Sequence, residues 1–150
     1  MAEFTMTPTE YVLEVLGGSK VFKSRPLPSA TEIRDRIKTG LPYQSLESAR
    51  ERLNLSLTET AAVLHMPLRT LARRRHGRKL DADESDRLYR LVRVAAQAVA
   101  VFGTEDKAAM WLRRPNRALN GEMPIGVLDT DLGARQVEDI LGRIEHGVIG

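Results

Sequence analysis

Residues 57–76 read Leu57-Thr-Glu-Thr-Ala-Ala-Val-Leu-His-Met-Pro-Leu-Arg-Thr-Leu-Ala-Arg-Arg-Arg-His76, and the fold turns on how this stretch divides. Two short helices joined by a tight turn account for its residue types. Helices that cross steeply need small side chains where they touch, and Ala61 and Ala62 supply them. Val63 or Leu64 on the first helix and Leu71 on the second fill the wedge, with Met66 the apolar residue after the turn. Pro67 has a fixed φ and no N–H, which suits the first turn of the second helix. His65 stands where such a turn prefers glycine; a left-handed backbone costs more with a Cβ, though His tolerates it better than most. The pattern is that of a helix-turn-helix.

Its charge pattern points the same way. No acidic residue occurs between Thr60 and Leu80, while Arg69, Arg73, Arg74, Arg75, Arg78 and Lys79 bring six positive charges. Arginine pairs with phosphate and also reads guanine edges bidentately in the major groove. A recognition helix sets its N-terminal half against the bases, so Arg69, Thr70 and Arg73 are the expected base-edge residues. Arg74, Arg75, Arg78 and Lys79 are expected on phosphates, where they position without specifying. The competing reading is an ordinary helical hairpin with a basic solvated face.

Outward from this centre, nearly every apolar segment has helical spacing. Thr7-Pro8-Thr9-Glu10 and Ser29-Ala30-Thr31-Glu32 carry capping-box signals, with Gly17-Gly18 and Gly40 as stops. Ile33 and Ile37 give the second of these helices one apolar edge, and Val21–Pro28 between them reads as an extended linker. Leu46, Ala49 and Leu53 share a face of a third helix. Asp81-Ala82-Asp83-Glu84 is an acidic cap for a long helix to Phe102, whose Leu88, Leu91, Val92, Ala95 and Val99 keep a 3.6-residue period. Thr104 caps a shorter helix through Trp111 and Leu112, both expected in the core, and residues 116–129 read as loop. A last helix starts near Thr130 or Asp131, places Val137, Ile140, Leu141 and Ile144 on one face, and ends at Gly147. No segment alternates apolar and polar residues for long, so the fold expected is all-α, without a sheet of consequence. Residues 1–40 are expected as a helical arm, 41–80 as the helix-turn-helix region and 81–150 as a C-terminal helical unit.

Composition narrows the function. The 150 residues carry a formal charge of +3, but residues 1–80 hold 14 Lys/Arg against 8 Asp/Glu, whereas 81–150 hold 9 against 12. A basic half beside an acidic half suggests that the first meets an anionic partner. Cysteine is absent, which excludes disulfides and thiolate chemistry and fits a reducing cytoplasm. The longest run without a charged residue, Val94–Thr104, is 11 residues, too short to span a bilayer. His65, His76 and His146 lack metal-ligand spacing, and Asp81, Asp83, Glu84 and Asp86 sit where they complement a helix dipole. Nucleophile-and-base signatures and phosphate loops are missing. The expectation is a binding protein with no catalytic residue, metal or cofactor.

The C-terminal half carries an ordered string of motifs. Val101-Phe-Gly103, Ala108-x-x-Trp111-Leu112, Pro115-Asn116-x-Ala118-Leu119-x-Gly121, Pro124, Leu128-Asp-Thr130-x-x-Gly133, Val137 and Ile140-Leu141-x-Arg143-Ile144-x-His146-Gly147 follow one another in register. This string resembles the toxin-binding domain of the MbcA/ParS/Xre antitoxins, and the motif upstream resembles the helix-turn-helix of Xre-type antitoxins of RES–Xre toxin–antitoxin systems. The resemblance runs from about Pro42 to Gly150. It implies an antitoxin that binds and inhibits a RES-domain toxin, an enzyme similar to ADP-ribosyltransferases that depletes NAD⁺. It also implies self-association as a homodimer within a larger toxin–antitoxin complex, and repression of its own operon through double-stranded operator DNA. The toxin-facing positions implied are Asn116 and Asn120 in the Pro115–Gly121 loop, and Arg143, His146, Gly147, Val148, Ile149 and Gly150 at the end of the chain. Two other readings stay open: a stand-alone repressor whose C-terminal unit dimerises or senses a ligand, and an interaction protein with a vestigial helix-turn-helix. The first 40 residues could serve as a dimerisation arm or brace the core.

Overall fold

Helices begin in this chain where a side chain can satisfy their first free N–H groups. In the computed structural model, which describes residues 6–23, 27–74 and 77–147, Thr7, Ser29, Ser56, Asp81, Thr104 and Thr130 each accept a hydrogen bond from the backbone N–H three residues on. At Thr7/Glu10, Ser56/Glu59 and Asp81/Glu84 the glutamate reaches back to the capping residue's own N–H, completing a capping box, whereas at Ser29, where the sequence carries the same signal, Glu32 accepts the Lys23 N–H at 2.9 Å and the box stays half-formed. Each such cap contributes about 1 kcal/mol. The helices are α1 Pro8–Val15, α2 Ala30–Thr39, α3 Tyr43–Leu53, α4 Leu57–Val63, α5 Leu68–Arg73, α6 Ala82–Phe102, α7 Glu105–Leu112 and α8 Asp131–Glu145. The loop expected over 116–129 contains two short 3₁₀ turns, Arg117–Leu119 and Pro124–Val127. Among the described residues there is no strand, and one isolated bridge joins Pro42 to Lys79. The fold is all-α.

The 21-residue α6 is the axis, about 31 Å long at 1.5 Å per residue. Leu88, Leu91, Val92, Val94, Ala95, Ala96, Ala98 and Val99 are fully buried on it, so the helix is covered nearly all round toward its middle. Helices α1, α2, α7 and α8 pack against it, with lesser contacts from α3 and α4. Helix α1 braces this core through Tyr11, Val12, Leu13, Val15 and Leu16. Val21 and Phe22 are also buried, so the segment expected as an extended linker begins inside the core; Arg36 Nε donates to the Val21 carbonyl at 3.3 Å. On the other side of α6, Leu112, Leu128, Val137 and Leu141 close the core.

Gly40 locks the front of the molecule to α6. Its φ of 105° is unfavourable with a Cβ, and a Cβ there would collide with the Leu80 carbonyl oxygen. The close approach lets Leu80 N–H donate to Leu41 O at 2.9 Å and Leu41 N–H to Ser85 Oγ at 2.8 Å. Three expectations about packing need correction. Ala62 is exposed, and Ala61 alone is the small buried residue of α4. Trp111 is half-buried, stacked at 37° against Phe102 with ring centres 5.5 Å apart, while Leu112 is in the core. Ile144 is 42 % exposed, because α8 extends past the surface that Val137 and Leu141 meet.

Candidate nucleic-acid interface and C-terminal binding unit

The helix-turn-helix forms where the residues require it. Helix α4 ends at Val63 with Leu64 as its C-cap, His65 adopts φ 57°, and Met66 N–H donates back to Ala61 O at 3.0 Å. The left-handed turn thus falls on a non-glycine residue, at a cost of roughly 1–2 kcal/mol. Both Val63 and Leu64 are buried together with Leu71, filling the wedge between the helices. Pro67 is the N-cap rather than a residue of the first turn; its ψ of 142° is extended, and α5 starts at Leu68. The expected boundary is shifted by one residue, since Pro constrains φ but leaves ψ free.

The basic side chains gather on one face. Arg69, Thr70, Arg73, Arg74 and Arg78 line an open concavity of about 670 Å³ with Ala72. Arg69, Arg73, Arg78 and Lys79 are exposed, and Thr70 is half-buried. Among the described residues, no acidic side chain pairs with Arg69, Arg73, Arg78 or Lys79. Arg74 differs. Its Nη1 lies 2.6 Å from Glu84 Oε1 and also donates to the Lys79 carbonyl at 3.2 Å. The same Glu84 oxygen accepts the Asp81 N–H at 2.9 Å, and the side chain is only 7 % exposed. One carboxylate therefore caps α6 and pins the end of α5 to it. Arg75 and His76 lie outside the described residues.

In the C-terminal half, Asn116 is committed to its own loop. Its side-chain oxygen accepts Ala118 N–H at 2.9 Å, and its carbonyl accepts Leu119 N–H at 3.0 Å and Gly121 N–H at 2.9 Å. Asn120 ends that 3₁₀ turn at φ 56° and is exposed. The Pro115–Gly121 loop is thus a closed turn that shows solvent the Asn120 side chain. Arg143, His146 and Gly147 are exposed at the end of α8, and Val148, Ile149 and Gly150 lie outside the described residues. No hydrogen bond or ion pair among the described residues joins the loop to the end of α8. Elsewhere in this half, Met110 of α7 is 55 % and Leu132, in the first turn of α8, 70 % exposed, large apolar side chains that the motif reading did not single out.

Long-range ties also escaped the sequence. Arg113, at the end of α7, forks onto Glu59 of α4, with Nη2–Oε1 at 2.7 Å and Nε–Oε2 at 3.2 Å, and donates to the Asn54 carbonyl. Burial alone would raise the Glu59 carboxyl, but hydrogen bonds from Ser56 and Arg113 outweigh it and hold the group below the usual glutamate range. Tyr11 donates to Glu105 at 2.6 Å, and Arg52 bonds the same carboxylate at 2.7 Å, tying α1, α3 and α7 together. Burial first, then the Glu105 hydrogen bond and charge, push the Tyr11 hydroxyl well above its ordinary value. Arg90, buried on α6, donates to the Leu128 carbonyl at 3.2 Å, and Arg93 forks onto Glu138 of α8. Gly133 brings the first turn of α8 against the Val127 carbonyl so closely that a Cβ would collide with it.

Fold and site together define a helix-turn-helix protein with a helical unit built onto the far end of its central helix. Comparison with known proteins narrows that class. Residues 32–93 match the Antitoxin Xre-like helix-turn-helix domain, and residues 97–147 match the Antitoxin Xre/MbcA/ParS C-terminal toxin-binding domain. Antitoxin Xre of Photorhabdus laumondii subsp. laumondii is 36 % identical over 126 residues, covering 83 % of this chain and 85 % of that protein. Antitoxin Xre of Pseudomonas putida is 39 % identical over 122 residues, covering 81 % of this chain and 76 % of that one. A chain in the crystal structure of the M. tuberculosis MbcT–MbcA toxin–antitoxin complex superposes with a TM-score of 0.53 at 28 % identity, covering 70 % of this chain and 94 % of that chain. The chain belongs to the Xre-type antitoxins. Among its described residues no helix is long and apolar enough to cross a membrane.

Proposed function

We propose that this antitoxin neutralises a RES-domain, NAD⁺-depleting toxin through its C-terminal unit and represses its own operon through α5. The observation that carries the reading is the co-occurrence, on one α6 axis, of the exposed Arg69, Arg73, Arg78 and Lys79, which no acidic side chain pairs among the described residues, and the motif string matching the toxin-binding domain over 97–147. Arg69, Thr70 and Arg73 meet base edges, while Arg75, Arg78 and Lys79 meet phosphates. Arg74 shapes that face from behind, held by Glu84.

Toxin contact falls to Asn120 and the loop that Asn116 shapes, to Arg143, His146 and Gly147, and to Val148, Ile149 and Gly150. The net acidic charge of residues 81–150 steers association with a basic cofactor pocket. The protein acts as a homodimer within a larger toxin–antitoxin complex, binding two half-sites of its operator. Co-expression with a RES-domain toxin tests this: the full chain is expected to restore growth and co-purify with the toxin, and a chain lacking residues 147–150 to do so less well. Toxicity undiminished by the full chain, with no complex recovered, would overturn the reading.

A further inference from the structure

Helix α2 has ten residues and buries none of them completely. Its apolar edge, Ile33 and Ile37, of which Ile33 packs against the core, stays half-buried. Together with Tyr89 of α6 it floors an open groove of about 420 Å³ between the two helices. Arg93 of α6 also lines the groove but is paired with Glu138 of α8; the remaining charges of the two walls are opposite, with Arg34 and Lys38 on the α2 side and Asp83 and Asp86 on the α6 side. All four are exposed, and none forms an ion pair or hydrogen bond among the described residues. The pattern is unlike α1, which spends its apolar face on the core.

A basic row and an acidic row on either side of an apolar strip are complementary to their own copy. A two-fold rotation sets the Arg34/Lys38 row of one chain over the Asp83/Asp86 row of the other, twice, and stacks the strips between them. A partner of one charge sign, nucleic acid included, would be attracted by one wall and repelled by the other. We infer that the α2–α6 groove is the face through which two copies of this chain pair. The inference deepens the self-association proposed above and rests on it. The groove flanks the start of α6, which is pinned through Glu84 to the end of α5. Pairing here therefore fixes the separation of the two basic faces, as a two-half-site operator requires.

The test uses the full chain and two charge-reversed variants, Arg34→Glu with Lys38→Glu, and Asp83→Lys with Asp86→Lys. Mass is measured by sedimentation equilibrium, with helical content by circular dichroism as the check on folding. The wild type is expected at twice the chain mass, and each variant, equally helical, at the mass of one chain. An equimolar mixture of the two variants is expected to return to the doubled mass, because the reversed rows now complement each other across the pair. Variants that stay dimeric place the pairing on another face, overturning this inference while leaving self-association intact. Folded monomeric variants that fail to recombine overturn the charge complementarity on which it rests. A wild type that is monomeric at hundreds of micromolar overturns both this inference and the self-association beneath it.

Discussion

Replacing Arg74 and replacing Arg78 should have opposite consequences, although both are arginines at the edge of the same basic face. Arg74 is tied at 2.6 Å to Glu84, whose side chain is only 7 % exposed. Arg74→Ala leaves a buried carboxylate with the Asp81 N–H but no countercharge. Losing one member of a fully buried pair costs about 3–5 kcal/mol. Arg74 is about a quarter exposed, so solvent shares the load, and about 1–3 kcal/mol is the expected loss of unfolding free energy. Arg78 is exposed and has no internal partner, so Arg78→Ala should leave stability within about 0.5 kcal/mol of wild type. On a random duplex the order reverses. Each phosphate contact contributes about 0.9 to the slope of log affinity against log salt, so a fourfold rise in salt weakens binding about 3.5-fold per contact. Arg78→Ala should reduce the slope by about one contact, and Arg74→Ala should leave it unchanged. Urea unfolding, with fluorescence anisotropy on labelled DNA between 50 and 200 mM salt, reads both quantities. An Arg74→Ala protein of wild-type stability but flattened salt slope would refute the assignment of Arg74 to a positioning role.

Other expectations follow from the same geometry. Arg69→Ala should cost about 1–3 kcal/mol on the operator and far less on random DNA, so an unchanged ratio between the two would remove Arg69 from base reading. Gly40→Ala combines a left-handed backbone with a collision against the Leu80 carbonyl, and should lower unfolding free energy by about 2–4 kcal/mol; a shift below about 0.5 kcal/mol would show that the α2–α3 junction yields freely. The folded Glu59 carboxyl is held below its unfolded value, so its contribution is full above the ordinary glutamate pKa of about 4.3 and is lost as pH falls through the folded value. Arg113→Ala should therefore flatten the acid limb of a stability–pH profile, and an unaltered limb would mean that the Arg113 fork contributes nothing to folding.

What the sequence made legible was local. The capping box at Thr7, the acidic cap at Asp81 and the left-handed position of His65 all depend on residues within a few positions of each other, so spacing alone reveals them, although the same kind of box at Ser56 went unread. The toxin-binding unit was legible as an ordered string, yet its chemistry was not, since an Asn in such a loop can pair with neighbouring backbone or face a partner, and spacing does not choose between the two for Asn116. Arg74 and Glu84 are ten residues apart, and the glutamate already had a role as a cap; nothing in the spacing said that one oxygen would serve both. Arg113 and Glu59 are separated by 54 positions, and no periodicity couples surface charges at that range. Ile144 shows the limit of periodicity itself, because it names a face without giving the length of the surface that face will meet. Ile33 and Ile37 carry the helical spacing of a core edge, and the fold leaves that edge half open.

The claim that one chain joins DNA recognition to toxin neutralisation is tested most directly by titrating the full protein into a RES-domain toxin while following NAD⁺ consumption. The account predicts that consumption falls to zero at a fixed stoichiometry. It also predicts that an Arg69→Ala, Arg73→Ala protein, crippled for its operator, inhibits as well as the wild type. Consumption that continues unchanged in the presence of excess wild-type protein would contradict it.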